Sequence, residues 1–232
     1  MKATMGILIV AGCVVGGCNV IQPADVVTRG ELSAIILQIG PAVDGTLNDP
    51  TWADCPPLVL GVCGSDKIGE LKSTARVLLD ANTLYVAVEC LDPNTGRLQA
   101  DAAGRDADLW TNDSVDIFVH AQGAREARHF IVACNGELLD ALETGDAGDT
   151  TWNSAAKVKV KVRKDRCWIV TMSVPLADLG AKPGENQTWQ LNINRTRPTE
   201  DGQAEESSWS RNGRRDYHDP SGWGKLTRVN VP

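Results

Sequence analysis

The sequence predicts an all-β protein, a sandwich of two antiparallel sheets of the jelly-roll or immunoglobulin-like kind. Three observations support this prediction: short runs rich in β-branched and aromatic residues, alternation of apolar and polar residues along them, and turn residues between them. Many strands with few helical segments are typical of sandwiches and barrels. The chain has 232 residues, enough for one domain with a sizeable core. We divide it into a signal segment (1–18), a tether (19–40) and a sandwich domain (41–232).

The predicted strands follow one another closely after the tether. The tether is expected to merge into a first strand at 34–39, and turn residues such as those at 80–82, 135–136 and 164–166 separate the later runs. The later runs, in chain order, are "TARVLLD", "TLYVAVECLD", "DSVDIFVH", "RHFIVACNG", "AAKVKVKVRK", "RCWIVTMSVPL" and "TWQLNINRTR".

The most regular alternation lies at 156–163, where Ala156 and three valines alternate with lysines and an arginine. This pattern predicts a strand with one buried face and one solvated face. The short connection to the next run predicts a hairpin, which places Trp168 and Met172 in the core. Packing roles are also predicted for Trp52, Trp152 and Trp189.

The N-terminal segment "MKATMGILIVAGCVVGGCNVIQ" has the build of a secretory signal peptide, with Lys2 before an apolar run and small residues before a cysteine. Its end resembles a bacterial lipobox at either Cys13 or Cys18. We prefer Cys18 as the lipidated residue because it leaves a longer apolar region; an ordinary cleaved signal is the alternative. We therefore expect an exported, membrane-anchored lipoprotein, periplasmic or at the cell surface, that meets the membrane through its lipid anchor only.

The formal charge of −7 and the pI near 5.0 argue against nucleic acid as a partner, because binding to a polyanion needs clustered basic residues. Export permits disulfides. Cys55 and Cys63 flank one loop and are the predicted pair, whereas the other three mature cysteines lie in apolar runs and behave as small hydrophobes. Zinc is not favoured, because neither CxxC nor HxxxH spacing occurs.

A candidate binding surface follows from two strands with polar faces. The period-two rule places Asp116 opposite Val115 and Ile117, and it gives Asn192 and Asn194 a shared polar face. These groups lie on one surface if the two strands share a sheet. Sugars need aromatic planes for their C–H faces and planar polar partners for their hydroxyls. We expect a sugar clamp formed by loop aromatics above that polar floor, namely Trp110, Trp209 and Tyr217.

Six further segments lie in order along nearly the whole mature chain: "AVDGTLNDPTW" (42–52), "RVLLDANTLYVAVECLD" (76–92), "LWTNDSVDIFV" (109–119), "WIVTMSVPLADLG" (168–180), "WQLNINRTR" (189–197) and "SSWS…YHDPSGWGKL" (207–226). Together they resemble the family 9 carbohydrate-binding modules. The resemblance implies a β-sandwich with structural calcium. It also implies two aromatic rings that hold a sugar, often the reducing end of a β-glucan or xylan chain.

By match of motif, Trp110 takes the first ring and Tyr217 the second. Asp116 stands where the family carries Glu, and Asn194 stands where it carries Gln. The floor arginine of the family falls on Ile131. The strand parity of Arg195 argues against its replacing that arginine.

Calcium is expected at aspartates near strand ends within the matching motifs, because Ca²⁺ prefers hard oxygen ligands. For each of them a turn or cap role is the alternative. The three candidate ligands are Asp44, Asp92 and Asp113.

The predicted function is non-catalytic binding of a polysaccharide or oligosaccharide in support of carbohydrate catabolism. One alternative is an accessory module of a glycoside hydrolase; no catalytic residue is assigned, since Asp113 and Asp116 fall on opposite strand faces and make a poor carboxylate pair. A haem-binding domain of the related sandwich type is the other alternative. It would need axial ligands, and Met172 is expected to be buried. The three histidines, His120, His129 and His218, are expected to be exposed or structural.

Overall fold

The structure is a computed structural model that describes residues 30–65, 67–144, 147–181, 188–211, 216 and 218–229. The signal segment, with Cys13 and Cys18, lies outside the described residues. Among the residues described, no helix is both long enough and apolar enough to cross a membrane.

Within the described ranges the chain forms thirteen strands and one short α-helix, α1 (Pro50–Ala53), which confirms the all-β prediction. The strands are β1 (Glu31–Leu37), β2 (Leu58–Val62), β3 (Ser73–Asp80), β4 (Thr83–Leu91), β5 (Ser114–His120), β6 (Ala127–Ala133), β7 (Leu138–Thr144), β8 (Ala147–Asp149), β9 (Lys157–Arg163), β10 (Cys167–Pro175), β11 (Thr188–Pro198), β12 (Ala204–Ser208) and β13 (Gly224–Val229).

Two sheets face each other. Sheet A has the order β8-β7-β6-β5-β11, and β12 and β13 pair with different parts of the far edge of β11. Sheet B has the order β9-β10-β4-β3-β2. Strands β1 and β2 join the sheets at one side, because each pairs with a strand of sheet A over part of its length and with β3 over the rest.

Strand β1 pairs in parallel with both β13 and β3, at the side of two sheets that are antiparallel as predicted. It also begins at Glu31, inside the segment 19–40 that the sequence analysis assigned to the tether, so the sandwich starts earlier than residue 41. The parallel pairing is possible because β1 enters as an edge strand and is not bound by a hairpin to either partner.

The core lies between the sheets and is built by alternation. Val115, Ile117 and Val119 of β5 point inward with Leu191 and Ile193 of β11. As predicted, Trp168, Met172 and Trp189 belong to the same buried cluster. Trp52 is also fully buried, but against the outer face of sheet B, where it packs with Leu78 and Ala87.

The β9–β10 hairpin forms as predicted, with Trp168 opposite Val162. Because β9 is the edge strand of sheet B, its valines are only partly covered, and Val162 remains 45% exposed. The turn between the two strands places Asp165 at φ 52°, a left-handed conformation that Asp tolerates better than most residues.

The predicted disulfide between Cys55 and Cys63 is wrong, because no bond joins their sulfur atoms in the structure. The extended strand β2 lies between them. At about 3.3 Å per residue it alone separates its ends by roughly 13 Å, whereas a disulfide needs Cα atoms within about 7 Å. Cys55 packs beside Trp52, while the backbone N–H of Cys63 donates to the carbonyl of Glu206 at 2.9 Å.

Candidate functional site

The candidate site lies on the outer face of sheet A, the face turned away from sheet B. Alternation places Asp116 and Phe118 of β5 there, next to His129 and Ile131 of β6. Two parts of the chain bury much of this face: the segment 98–112 before β5 and the described residues of the connection between β12 and β13, which are 209–211, 216 and 218–223. A cleft of about 410 Å³ remains. It is lined by Trp110, Asp116, His129, Ile131, Leu139, Ala141, Glu143, Gly148, Thr150 and His218.

Trp110 stands at the rim of this cleft on a short 3-10 helix, Leu109–Thr111. Leu109 is fully buried against Ile131 and anchors that helix, whereas Trp110 is 49% exposed. Asn112 fixes the segment from the other side, because its side chain accepts from the N–H of Ala102 at 3.1 Å and donates to the Ala102 carbonyl at 2.8 Å. The indole is therefore held at the surface by buried neighbours before any ligand binds.

The floor contains buried polar groups without internal partners. Asp116 and Asn194 are direct neighbours across β5 and β11 and are at most 1% exposed. Asp116 Oδ2 and both side-chain polar atoms of Asn194 have no hydrogen-bond partner within the described part of the chain. A buried polar group left in this way costs about 1–3 kcal/mol relative to a satisfied one. Such atoms are suited to bind the hydroxyls of a ligand or ordered water.

His129 connects two carboxylates on this face. Its Nε2 lies 3.0 Å from Asp116 Oδ1, and its Nδ1 lies 2.8 Å from Glu143 Oε1. Burial of the ring opposes its protonation, but the hydrogen bonds to Asp116 and Glu143 outweigh burial, so the pKa of His129 is raised. The hydrogen bond to His129 is also the main cause that lowers the pKa of Glu143. The Phe118 ring stacks on His129 with 3.9 Å between centroids and fixes the plane of the imidazole.

The family model described as "Carbohydrate family 9 binding domain-like" matches residues 43–230. This chain belongs to that family. It is a family 9 carbohydrate-binding module, as the sequence motifs indicated. A comparison with curated protein sequences finds no match.

Solved structures share the fold of the module. A proposed carbohydrate-binding protein from Bacteroides uniformis has a TM-score of 0.71 at 18% identity, covering 87% of this chain and 100% of its own. A family 9 module from Caldicellulosiruptor kristjanssonii in complex with cellotriose has a TM-score of 0.63 at 17% identity, covering 86% and 95% of the two chains. The same kind of module from that organism in complex with glucose has a TM-score of 0.64 at 18% identity, covering 86% and 97%.

Of the predicted sugar-binding residues, the structure brings Trp110, Asp116 and Asn194 to one face. Asn192 shares the face but has a structural role, because its Oδ1 accepts from the N–H of Ser210 and from the hydroxyl of Ser208, both at 3.1 Å. Tyr217 lies outside the described residues.

The prediction that Trp209 is a loop aromatic of the sugar clamp is wrong. It is 9% exposed, belongs to the core cluster and packs closely on Gly30 and Gly224. A Cβ at Gly30 would lie 2.4 Å from the indole, so only glycine fits beneath the ring. The sequence placed Trp209 in a loop, but β1 and β13 pair beside that loop and enclose the ring.

The three predicted calcium ligands do not form one site. Asp44 is exposed and accepts from both the N–H and the hydroxyl of Thr46 at 2.8 Å, in a turn beside Thr171 on the outer face of sheet B. Asp92 and Asp113 do lie together, near the guanidinium of Arg195 at 3.5 and 3.9 Å. Asp44 therefore does not belong to the Asp92–Asp113 pair, and calcium at Asp44 stays a prediction.

Arg195 points inward, as its parity indicated, and is 2% exposed. Its Nη1 donates to Ser73 Oγ and to the Leu91 carbonyl at 3.2 Å. Burial is the main cause that raises the pKa of Asp113, against the opposing effects of a hydrogen bond from the Gln99 N–H and the charge of Arg195. Arg195 is thus part of a buried charge cluster and not of the sugar-binding cleft.

Three residues at this face, His129, Glu143 and His218, were not predicted from the sequence as site residues. The alternation in "RHFIVA" places His129 on the face of Ile131, a signal that was present. Glu143 lies on β7, which the sequence patterns did not predict as a strand, and His218 lies in a segment without periodicity. Only the folded sheet brings these three residues together.

Proposed function

We propose that this module binds a neutral polysaccharide or oligosaccharide in the cleft bordered by Trp110. One observation carries the proposal: the exposed indole of Trp110 lines the same cleft as buried Asp116, which pairs across the sheet with buried Asn194, and polar atoms of both residues lack partners in the described structure. A sugar supplies both complements at once, a C–H face for the ring and hydroxyls for the floor.

The unpaired polar atoms of the cleft favour a ligand with hydroxyl groups over a purely apolar one. An apolar ligand would cover Trp110 but would leave the Asp116 and Asn194 atoms buried without partners, at about 1–3 kcal/mol for each group. A site built to hydrogen-bond a hydroxyl rejects an analogue that lacks it for the same reason. The apolar floor residues Ile131, Leu139 and Ala141 complete the cleft and suit the C–H surface of a sugar.

For the sugar itself, we propose β-glucan or xylan chains, with their ends as candidate targets. The support is that modules of this fold from Caldicellulosiruptor kristjanssonii were solved with cellotriose and with glucose. Ile131 stands where the resemblance placed a floor arginine, so the site lacks that anchoring donor. We therefore expect weaker discrimination of the reducing end than the family resemblance implies.

We further propose that the module acts without catalysis, as an exported lipoprotein anchored through Cys18 that supports carbohydrate catabolism beside a glycoside hydrolase. The support is the N-terminal sequence pattern. Asp113 and Asp116, the carboxylates considered as a catalytic pair, also lie in different places. Asp113 lies near Arg195, whereas Asp116 lines the cleft on the outer face. Membrane fractionation of wild type and Cys18→Ala tests the anchor, and the variant is expected in the soluble fraction.

Calcium remains a proposal for Asp92 and Asp113. These two carboxylates line a cavity of about 260 Å³ together with Asn94, Gln99 and Glu200, which carry further side-chain oxygens. Asp113 Oδ1 is buried and without a hydrogen-bond partner in the part of the chain that the structure describes. Since Arg195 and Arg197 already lie near Asp92, we expect weak affinity, of the order of 10⁻⁴ to 10⁻³ M as in extracellular calcium modules.

Isothermal titration with cellotriose and xylotriose tests the sugar proposal. Trp110→Ala is expected to weaken binding about 2- to 13-fold, because a stacked aromatic ring contributes roughly 0.5–1.5 kcal/mol beyond the area that it buries. Trp110→Phe should recover part of the loss. Val162→Ala is the matched control, since Val162 is about as exposed but lies on sheet B.

The thermal midpoint of Trp110→Ala should stay close to that of wild type, because half of its surface is already in water. Unchanged affinity in Trp110→Ala, with measurable binding in wild type, would contradict the proposed cleft. A loss of binding shared equally by Val162→Ala would contradict it as well.

A further inference from the structure

Three side chains of metal-binding type meet at one wall of the cleft, although they come from separate parts of the chain. His129 lies on β6, Glu143 lies on β7, and His218 lies in the connection between β12 and β13. One ligand atom of each lies within 4.8 Å of the other two. Zinc bonds of about 2.0–2.1 Å place tetrahedral ligand atoms roughly 3.3 Å apart. Small side-chain rotations, chiefly of the exposed His218, would therefore bring the three atoms around one ion.

Asp116 already holds His129 in the orientation that a metal ligand needs. Its Oδ1 lies 3.0 Å from His129 Nε2, which directs Nδ1 towards Glu143 at 2.8 Å. Metal-bound histidines usually donate their second ring N–H to a carboxylate or carbonyl, which fixes the tautomer and the ring plane. The stacked Phe118 ring restrains the same imidazole from its face.

A second, independent observation points to a ligand at this place. Asp116 is 1% exposed and lines the cleft, and its Oδ2 has no hydrogen-bond partner among the residues described. Asp116 and Glu143 thus place two carboxylates at a largely buried site whose compensating groups are imidazoles. A divalent cation would neutralise this charge more completely than one imidazolium does.

We propose that His129, Glu143 and His218 bind a divalent transition metal ion, for which zinc is the best match, and that Asp116 orients His129 as a ligand. Two imidazole nitrogens and one carboxylate oxygen with a further open position form a donor set typical of zinc. They do not suit calcium, which takes six to eight oxygen ligands. This proposal goes beyond sugar binding and does not depend on it.

The competing interpretation is that His129 is an imidazolium that forms ion pairs with Asp116 and Glu143 and binds no metal. That interpretation needs only His129, Asp116 and Glu143, with His218 making ring contacts to Phe118 and His129, whereas the zinc proposal requires His218 as a ligand. His218 is exposed, so its replacement should leave the fold intact. The variant His218→Ala therefore separates the two interpretations.

The experiment uses the full chain, purified without a histidine tag, freed of metal with EDTA, and titrated with ZnCl₂ in the absence of sugar. Wild type is expected to bind one zinc ion per chain at this site. His218→Ala and Glu143→Gln should weaken binding about 100-fold, and Asp116→Asn should weaken it roughly 10-fold, the effect usual for a residue that orients a ligand. His120→Ala is the matched control, because His120 lies outside the cluster and contacts the Ala124 carbonyl.

Cobalt provides a second readout that a structural role alone would not change. Co²⁺ bound by two imidazoles and a carboxylate gives a visible absorption band, expected in wild type and His120→Ala and lost in His218→Ala. The proposal is overturned if wild type binds no zinc, or if wild type and His218→Ala bind it equally. Sugar titrations of the same proteins are read separately, so a failure of the sugar site leaves the zinc result interpretable.

Discussion

Asp116 and Asn194 face each other across β5 and β11, both buried, and three of their side-chain polar atoms have no hydrogen-bond partner in the described ranges. Two residues away on the same face, Asn192 is fully engaged with Ser208 and Ser210. The two asparagines are alike in sequence context but differ in environment. Replacing each asparagine in turn should therefore show which of them contributes to stability and which to sugar binding.

We predict that Asn194→Ala lowers sugar affinity by about 5- to 10-fold, the effect of one lost hydrogen bond, with little loss of stability. Asn192→Ala should instead lower the free energy of unfolding by about 2 kcal/mol, because it leaves the buried N–H of Ser210 without its acceptor and removes one of the two acceptors of the Ser208 hydroxyl. Urea unfolding measures the free energy of unfolding of both variants, and sugar titration measures their affinities. The reverse pattern would mean that Asn194 is structural and that the floor has been misassigned.

The five cysteines of the described chain should all behave as buried thiols that form no disulfide. Burial raises the pKa of Cys90 to about 11 and that of Cys134 to about 12, so at pH 8 roughly one thiol in a thousand or fewer is the reactive thiolate. Alkylation of the native protein, followed by peptide mapping, should label them slowly. Unfolding without reductant should make all five reactive, and recovery of Cys55 and Cys63 as one linked peptide would contradict the structure.

Asp49 provides a pH-dependent contribution to stability. Its carboxylate accepts from the N–H of Ala42 at 3.0 Å and from the N–H of Thr51, at the start of α1, at 2.9 Å. The first of these bonds, reinforced by the second, lowers the pKa of Asp49. A carboxyl whose pKa is lower in the folded state stabilises the fold above its unfolded pKa of about 3.9, and this contribution is lost as the pH falls through the folded pKa.

We therefore expect Asp49→Asn to be less stable than wild type by about 1 kcal/mol at pH 7, because the amide cannot replace the second acceptor oxygen. The difference between the two proteins should shrink as the pH falls below about 3.9. Unfolding midpoints of both proteins across this range test the prediction. A difference that stays constant with pH would exclude the carboxylate as its source.

Calcium should raise the thermal stability of the module if Asp92 and Asp113 bind it. With an affinity of 10⁻⁴ to 10⁻³ M, calcium near 10 mM would add roughly 1.5 to 3 kcal/mol relative to EDTA. Asp113→Asn should abolish the increase, while Asp44→Asn, away from Arg195, should retain it. Equal thermal unfolding midpoints of wild type in calcium and in EDTA would contradict a calcium site at Asp92 and Asp113.

The sequence alone determined the fold class, most strands and one rim residue of the cleft. In strands such as β5 and β10, the residues that face the core are apolar and recur at every second position, so the strand is visible in the sequence. Strands β2, β7, β8, β12 and β13 were not predicted. β12 is "AEESS", and its place in the sheet depends on pairing with β11 and β2 and not on its own propensity.

Only the tertiary structure decided which polar residues share a site. Periodicity gives the face of a strand but not its neighbours, so it placed Asn192 and Asn194 together and could not tell a satisfied amide from an unsatisfied one. Trp209 changed from a sugar ligand to a core residue because β1 and β13 enclose it. His129, Glu143 and His218 became a cluster because β6 and β7 pair and a distant loop covers them, contacts between residues far apart in sequence that no local pattern contains.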